Sequence, residues 1–454
     1  MKRGFFFGLS IFVLAACKHD PDLLLLNDIT LSQKDTTKTT PPPQPQGCND
    51  TVTPVVMMHG LLASGDTWVN QVMRFQENNY CTNRIWVFDW NTLNSFGGGG
   101  GNTNQLLDAF IDSVLAITGA GKVNLVGHSA GGGTGYSYLS NASYAAKVAH
   151  YVHIGSGAQA APAGPNGEIP TLNIYSTDDQ VATSAADIPG AGNVKFSGLD
   201  HYQVATSAQT FEVMYTFFNG DQNPTTTALL PGTTHEIKGR AVVLGENSAV
   251  SSGTIKVFEL NQADGSRTTA SPTVSFVTDS KGNWGPFSAK ENTYYEFEIS
   301  KSGERTIHYY REPFIRDNPL VYLRMLPSQF SVAGFALGQF PTNNNQAVVS
   351  VFAANQAVVA GRDNFVVAGS ELSTQALSPG SETNIAFFLY DNNNNGQSDL
   401  STISSIGLNT FLKKIDMFFP GGTQNKTKLE FNGRTQYVRN FGSATEGIIV
   451  AVFD

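Results

Sequence analysis

The strongest constraint on this chain is the stretch KVNLVGHSAGGG, residues 122–133. An apolar run stops abruptly at a serine held between glycines, Gly127-His128-Ser129-Ala130-Gly131, and small residues follow. Such a turn is tight enough that neighbouring Cβ atoms would clash. The glycines after the serine let a helix pack close behind the strand. Further apolar runs flank it on both sides, at Pro54–Met58, Arg84–Trp90, Val148–Ser156, Thr171–Ser176 and Asn193–Ser197. Several are continuously apolar, as strands buried on both faces must be. Helical patterns intervene, notably TNQLLDAFIDSVLAIT and SAQTFEVMYTFFNG. The reading is an α/β architecture, a parallel sheet flanked by helices, over residues 48–220.

A serine hydroxyl is a weak nucleophile unless a base takes its proton and a third group orients that base. A strand ending in G-x-S-x-G before a small-residue helix resembles the nucleophile elbow of the α/β-hydrolase fold, in which the triad runs Ser, then Asp or Glu, then His. That order disfavours His19, His59 and His128, which do not follow Ser129. His150 and His153 sit beside or within a strand, and His235 and His308 lie far along a β-rich region. His201 remains, after NVKFSG and before the last helix. The acid falls in YSTDDQVA. Asp179 resembles the acid of compact bacterial lipases, with Asp178 beside it as the alternative and Asp200 too close to His201 in sequence. The resemblance also implies two backbone donors for a developing oxyanion, the amides of Ala130 and of Leu61 in MMHGLLASG, with His59 supporting that loop.

The ordered set HGLLAS, NLVGHSAG, IYSTDDQV and LDHYQVATS resembles small α/β-hydrolase lipases and esterases. AAKVAHYVHI and HYYREPFIRDN extend the likeness to two-part prokaryotic lipases with a β-rich C-terminal domain. This implies a serine carboxylic-ester hydrolase acting on lipid or ester substrates, with no metal or other cofactor required for catalysis. A polyester depolymerase or acyltransferase could use the same triad, and a non-enzymatic surface-binding lipoprotein is the rival class. Lidded relatives carry a long insertion where this chain has only LNSFGGGGGNTNQ, and five consecutive glycines do not form an amphipathic helix. An open site is therefore expected there.

The first 17 residues read as a secretory signal: Lys2 and Arg3, a short apolar run, and Leu14-Ala15-Ala16-Cys17, which resembles a lipobox. That implies a lipidated Cys17, a membrane anchor and a bacterial envelope location. Residues 18–47, with DTTKTTPPPQPQG, form a tether. The other two cysteines, Cys48 and Cys81, each precede a predicted strand, and outside the cytoplasm they are expected to pair. From 221 the pattern changes to alternating strands and turns. It predicts an antiparallel sandwich or barrel over 221–312 and a second β-rich stretch over 313–454, the two able to form one unit. The C-terminal half reads as a module contacting substrate or lipid, with a structural cap as the alternative. In LYDNNNNGQSDLS, the oxygens of Asp391, Asn393, Asn395 and Asp399 around Gly396 suit a structural Ca²⁺, although Thr402 stands where a bidentate Glu is usual; a polar Asn-Gly turn reads equally well. The net charge of −9 excludes nucleic acid as a partner, since phosphate binding requires a basic surface. The oligomeric state is left open.

Overall fold

The computed structural model describes residues 47–95, 102–404 and 411–454. Cys17, the signal, the tether up to residue 46 and the glycine run at 96–101 lie outside the described residues.

Six strands form one fully parallel sheet: β1 (Val55–Met58), β2 (Ile85–Phe88), β3 (Val123–His128), β4 (Val148–Ile154), β5 (Thr171–Ser176) and β6 (Gly192–Phe196), in the order β2-β1-β3-β4-β5-β6. The helices are α1 (Val69–Glu77), α2 (Thr103–Thr118), α3 (Ala130–Leu139), α4 (Ala142–Ala145), α5 (Gln203–Thr206) and α6 (Ala208–Phe218). Alternation along β1 shows how the layers form. Val55 and Met57 pack on the side of Phe75 from α1 and Phe211 from α6. Val56 and Met58 face Phe110 and Val114 of α2 and Tyr138 of α3. Full burial of each such side chain contributes about 1.5–3 kcal/mol, so both faces must be apolar for the sheet to hold two helical layers. Only β6, at the edge, is largely exposed.

Cys48 and Cys81 form a disulfide with Cα atoms 5.0 Å apart, and the adjacent Asn49 bridges Tyr80 in parallel. The link ties the entries of β1 and β2 at one end of the sheet.

The second half contains β7 (Glu236–Val243), β8 (Thr254–Leu260), β9 (Val274–Val277), β10 (Asn283–Ser288), β11 (Tyr294–Ser300), β12 (Ile307–Arg311), β13 (Asn318–Met325), α7 (Val332–Leu337), β14 (Val349–Ala353), β15 (Phe365–Val367), β16 (Ser370–Glu371), β17 (Ala386–Tyr390), β18 (Leu412–Asp416), β19 (Gly422–Phe431), β20 (Arg434–Asn440) and β21 (Ile448–Phe453). These make a three-stranded sheet β10-β7-β13, an eight-stranded sheet β18-β17-β14-β21-β12-β11-β8-β9 and a four-stranded sheet β16-β15-β19-β20. Within 221–312 the strands pair antiparallel as expected, β7/β10, β8/β9, β8/β11 and β11/β12, and parallel pairing enters with the strands of 313–454. β7/β13, β12/β21, β14/β21 and β17/β18 are parallel pairs. The reason is visible in β21, IIVAVF, which is buried at every position and slots between β12 and β14. A strand covered on both faces reads as a continuous apolar run, and such runs suit parallel neighbours. The eight-stranded sheet draws strands from both 221–312 and 313–454, so these stretches fold as one unit.

The two halves share a core. Val242, Leu320 and Tyr322 pack into the cluster that contains β1 and α1. At its centre the buried Asp89 carboxylate, just past β2, accepts from the Gly65 amide at 2.7 Å, from Arg240 Nη1 at 2.6 Å and from the Tyr322 hydroxyl at 2.6 Å. Both side chains of the Asp89–Arg240 pair are 1% exposed. Removing one partner of such a pair leaves an uncompensated buried charge, so Arg240→Ala should cost about 3–5 kcal/mol. Urea unfolding followed by tryptophan fluorescence measures this, and a loss under about 1 kcal/mol would refute a central role for the pair.

Candidate active site

Ser129 occupies the turn between β3 and α3 with φ 55° and ψ −121°, a left-handed conformation costly for a residue with a Cβ. The surroundings hold it there. Its amide donates to Ile154 O at 2.9 Å, and Gly132 donates to its carbonyl at 2.9 Å. Gly127 must lack a side chain, because a Cβ would lie 2.4 Å from Gly131 O. Gly60 plays the same part opposite: its Cβ would stand 2.9 Å from Ser129 Cβ. Ser129 itself is half-buried and reachable.

His201 follows β6 and is 2% exposed. Its Nδ1 lies 2.9 and 2.8 Å from the two oxygens of Asp179, in the turn after β5. Burial alone would raise the Asp179 pKa. The hydrogen bond and charge of His201, with the amides of Ala182 and Val181, outweigh it and hold the carboxyl below its ordinary value. The neighbouring Asp178 is exposed and turned to the Gly198 amide, so the two candidate acids separate. Asp200 also points away: one oxygen caps α5 through Tyr202 and Gln203, and the other accepts from Arg362 and Ala357.

His128 joins these groups. Its ring centroid is 4.7 Å from that of His201, and its Nε2 bonds the His201 carbonyl at 2.9 Å. Burial, with His201 adding to it, pushes its pKa down to about 3, so it is a neutral donor that fixes the backbone of His201. Among the described residues no hydrogen bond joins Ser129 Oγ to His201; such bonds commonly tighten only when substrate is bound.

The loop after β1 offers the expected donors. The Leu62 amide is taken by Thr92 Oγ1 at 3.0 Å. The amides of Leu61 and Ala130 have no protein acceptor among the described residues. His59, fully buried with its pKa lowered by burial, bonds Gly60 O through Nδ1 at 2.9 Å and receives the Trp90 amide at Nε2 at 3.3 Å. It is a support for this loop.

Sequence reasoning missed Asn247, which comes from the other half of the chain. Its Nδ2 contacts Ala63 O at 2.8 Å, Trp90 O at 3.0 Å and His59 Nε2 at 3.3 Å, and its Oδ1 accepts from Ser64 Oγ at 2.5 Å. It is 4% exposed and has φ 56°, a backbone region that asparagine tolerates better than most residues. The GEN triplet at 245–247 signals only a turn, so no local pattern announces this role.

Lined by Leu62 and Tyr202, the residues that follow Leu61 and His201 in the chain, opens a cavity of about 990 Å³, counted with the part open to solvent. The N-terminal half contributes Leu62, Ala63, Val69 and Tyr202; the other half contributes Leu244, Ala333, Leu337, Phe352, Ile385 and Phe411. The Phe411 ring lies 6.1 Å from that of His201. The charged residues of the lining are paired, Asp66–Arg324 at 2.6 Å and Arg311–Asp454 at 2.7 Å, and Asn318 adds an uncharged polar group. Helix α7 flanks this cavity. Ala333 and Leu337 line it, while Phe330, Val332 and Phe335 are 91%, 64% and 66% exposed.

Comparison with known proteins agrees with this architecture. Residues 53–163 match the alpha/beta hydrolase fold family, and residues 233–329 match the lipase C-terminal domain family. A triacylglycerol lipase of Pseudarthrobacter phenanthrenivorans is 37% identical over 85 residues, 17% of this chain and 25% of that protein. One of Burkholderia plantarii is also 37% identical over 85 residues, 17% of this chain and 23% of that protein. The chain thus spans about a quarter of the length of the curated relatives it matches. Among solved structures, a mature lipase of Bacillus licheniformis aligns at 16% identity and TM-score 0.31, covering 38% of this chain and 94% of that one. An esterase of a Rhodococcus species aligns at 17% and 0.30, covering 39% and 94%.

Replacing Asn247 by glycine keeps the backbone conformation and removes three contacts to the loop that carries Leu61 and one to Trp90. A small displacement of reacting groups costs up to about 10²-fold, so Asn247→Gly should lower kcat by on the order of 10-fold or more with KM little changed. Steady-state kinetics on a soluble ester reads the split, and a change confined to KM would contradict this positioning role.

Proposed function

We propose that this protein is a serine carboxylic-ester hydrolase of the lipase or esterase type, belonging to the alpha/beta hydrolase and lipase C-terminal domain families matched above. The observation that carries the proposal is the His201 imidazole bound to the Asp179 carboxylate, its ring 4.7 Å from that of His128, the residue before a serine held in a strained strand–helix turn. Ser129 Oγ attacks the ester carbonyl while His201 Nε2 takes its proton. Asp179 keeps the remaining ring proton on Nδ1 and stabilises the imidazolium. The carbonyl oxygen becomes an oxyanion between the Leu61 and Ala130 amides. Collapse of that intermediate expels the alcohol, protonated by His201, and leaves an acyl group on Ser129. Water activated by the same histidine releases the acid. The apolar cavity shared by both halves supports an alkyl chain as the group that fills it. Ser129→Ala should lose on the order of 10⁶ in kcat on p-nitrophenyl esters, and Asp179→Asn about 10⁴, whereas Asp178→Asn should act like the parent. Retained turnover in the serine variant would end the assignment.

The substrate class we infer is a neutral lipid ester presented at an oil–water surface. Between Arg324 and Arg362 the chain carries no charged residue, and α7 lies in this stretch with three large apolar side chains facing water. An uncharged, apolar surface suits neutral lipid. Lipidated at Cys17 and tethered to the bacterial envelope, as we propose, the domain would work close to such a surface. Phe330→Ser with Phe335→Ser should lower the rate on emulsified tributyrin roughly tenfold more than on dissolved p-nitrophenyl acetate, because each exposed phenyl contributes about 1.5–3 kcal/mol on leaving water. Equal effects on the two substrates would argue against a lipid-facing role for α7.

A further inference from the structure

We propose that the loop Asp391–Asp399, together with Asp416 of β18, is a Ca²⁺ site. The loop follows β17 and reads DNNNNGQSD. Its oxygens fall at the first, third, fifth and ninth positions, with glycine at the sixth and a backbone carbonyl, that of Gln397, available at the seventh. Gly396 has φ 73°, the left-handed turn that this spacing demands of its sixth residue. The root of the loop is fixed. Gln346, 1% exposed, receives the Asp391 amide at 3.0 Å and donates to Asp391 O at 3.1 Å and to Asn394 Oδ1 at 3.0 Å.

The twelfth position, where loops of this type place a bidentate glutamate, holds Thr402. Thr402 pairs with Ile415 in an antiparallel bridge, and the next residue on that strand is Asp416. Asp416 donates its amide to Ser401 O at 2.9 Å and accepts the Leu400 amide at its carbonyl at 3.0 Å. The carboxylate missing from the loop is therefore supplied by the strand paired with it. Asp416 is 3% exposed. One of its oxygens accepts the Asn392 amide at 3.1 Å, which places the group against the loop; the other is buried with no hydrogen-bond partner. Among the described residues no lysine, arginine or histidine forms an ion pair with Asp391, Asp399 or Asp416.

A contrasting cluster shows what a self-sufficient arrangement looks like. Glu296, Glu298 and His308 also converge, but Arg267 Nη2 lies 2.6 and 2.8 Å from the two glutamates and supplies the cation itself. Around Asp416 the protein supplies three anions and no such cation. Asn393 and Asn395 now turn their Nδ2 atoms to Asp399 Oδ2, at 2.8 and 3.3 Å. Rotating each amide by 180° gives up those contacts, together with the bonds that Asn393 Oδ1 and Asn395 Oδ1 accept from the Asn395 and Gln397 amides at 3.0 and 2.7 Å, and turns both carbonyl oxygens toward Asp399. Asp391, Asn393, Asn395, Gln397 O, Asp399 and Asp416 then offer six oxygens, within the range that Ca²⁺ takes, on a framework too irregular for the strict octahedron of Mg²⁺. Bound there, the ion would brace β18, whose first residue Leu412 and the preceding Phe411 wall the apolar cavity.

The test uses the purified protein stripped with EDTA and dialysed. Isothermal titration with CaCl₂ should give one site, and saturating Ca²⁺ should raise Tm by a few degrees, with MgCl₂ giving far less. Asp416→Asn, which preserves shape, should weaken Ca²⁺ binding at least tenfold and remove most of the Tm rise. Asp399→Asn, at an exposed position, is the second variant and should do the same. No heat and no Tm change up to about 10 mM CaCl₂, ten times the weakest affinity of extracellular calcium modules, would overturn the proposal. So would an Asp416→Asn protein that binds Ca²⁺ like the parent.

Discussion

The buried Asp89 carboxylate is the point on which this structure turns. A lone charge at that depth would be intolerable, so it must be matched by donors of several kinds. One is the Gly65 amide, in the segment leading from the β1 loop to α1. The others, Arg240 and Tyr322, come from two strands of the second half. The anion therefore fixes the distance between the loop that carries Leu61 and the sheet β10-β7-β13. Asn247, a few residues beyond Arg240, works within the geometry so set and holds His59 and the carbonyls of Ala63 and Trp90. The second half is part of what keeps the loop opposite Ser129 in shape.

The same union makes the cavity. The hydrolase half contributes one wall, including Leu62 and Tyr202, and the second half contributes the facing one, including Phe352, Ile385 and Phe411. The cavity thus exists only where the two halves meet.

What could be read in the sequence was whatever depends on local pattern. The six parallel strands were legible because burial on both faces forces continuous apolar runs such as VVMM and IWVF. Ser129 was legible because a turn that tight requires glycine on both sides. The relation of Asp179 to His201 followed from chain order, and its preference over Asp178 became physical only with the coordinates, where Asp178 turns to Gly198. The unread parts are the non-local ones. Nothing near Asn247 reveals that its partners are 157 to 188 positions away in the chain. Nothing in IIVAVF says that it runs parallel to strands far upstream. Asp416 likewise carries no pattern of its own; its meaning arises from the bridge between Thr402 and Ile415.

The position of β21 bears on how the protein is made. This strand lies between β12 and β14, so residues 448–453 separate segments synthesised about a hundred or more positions earlier. While the chain is still emerging, β12 and β14 have no common neighbour, and their inner edges stay unpaired. The sheet closes only once residue 453 is available. Such long-range pairing is slow and exposes strand edges in the meantime. For a chain threaded across a membrane from its N-terminal end, the hydrolase half would reach the far side first and wait there for its partner. Quality-control proteases on that side would then meet an unsealed β-sheet, and survival would depend on how quickly the last segment arrives.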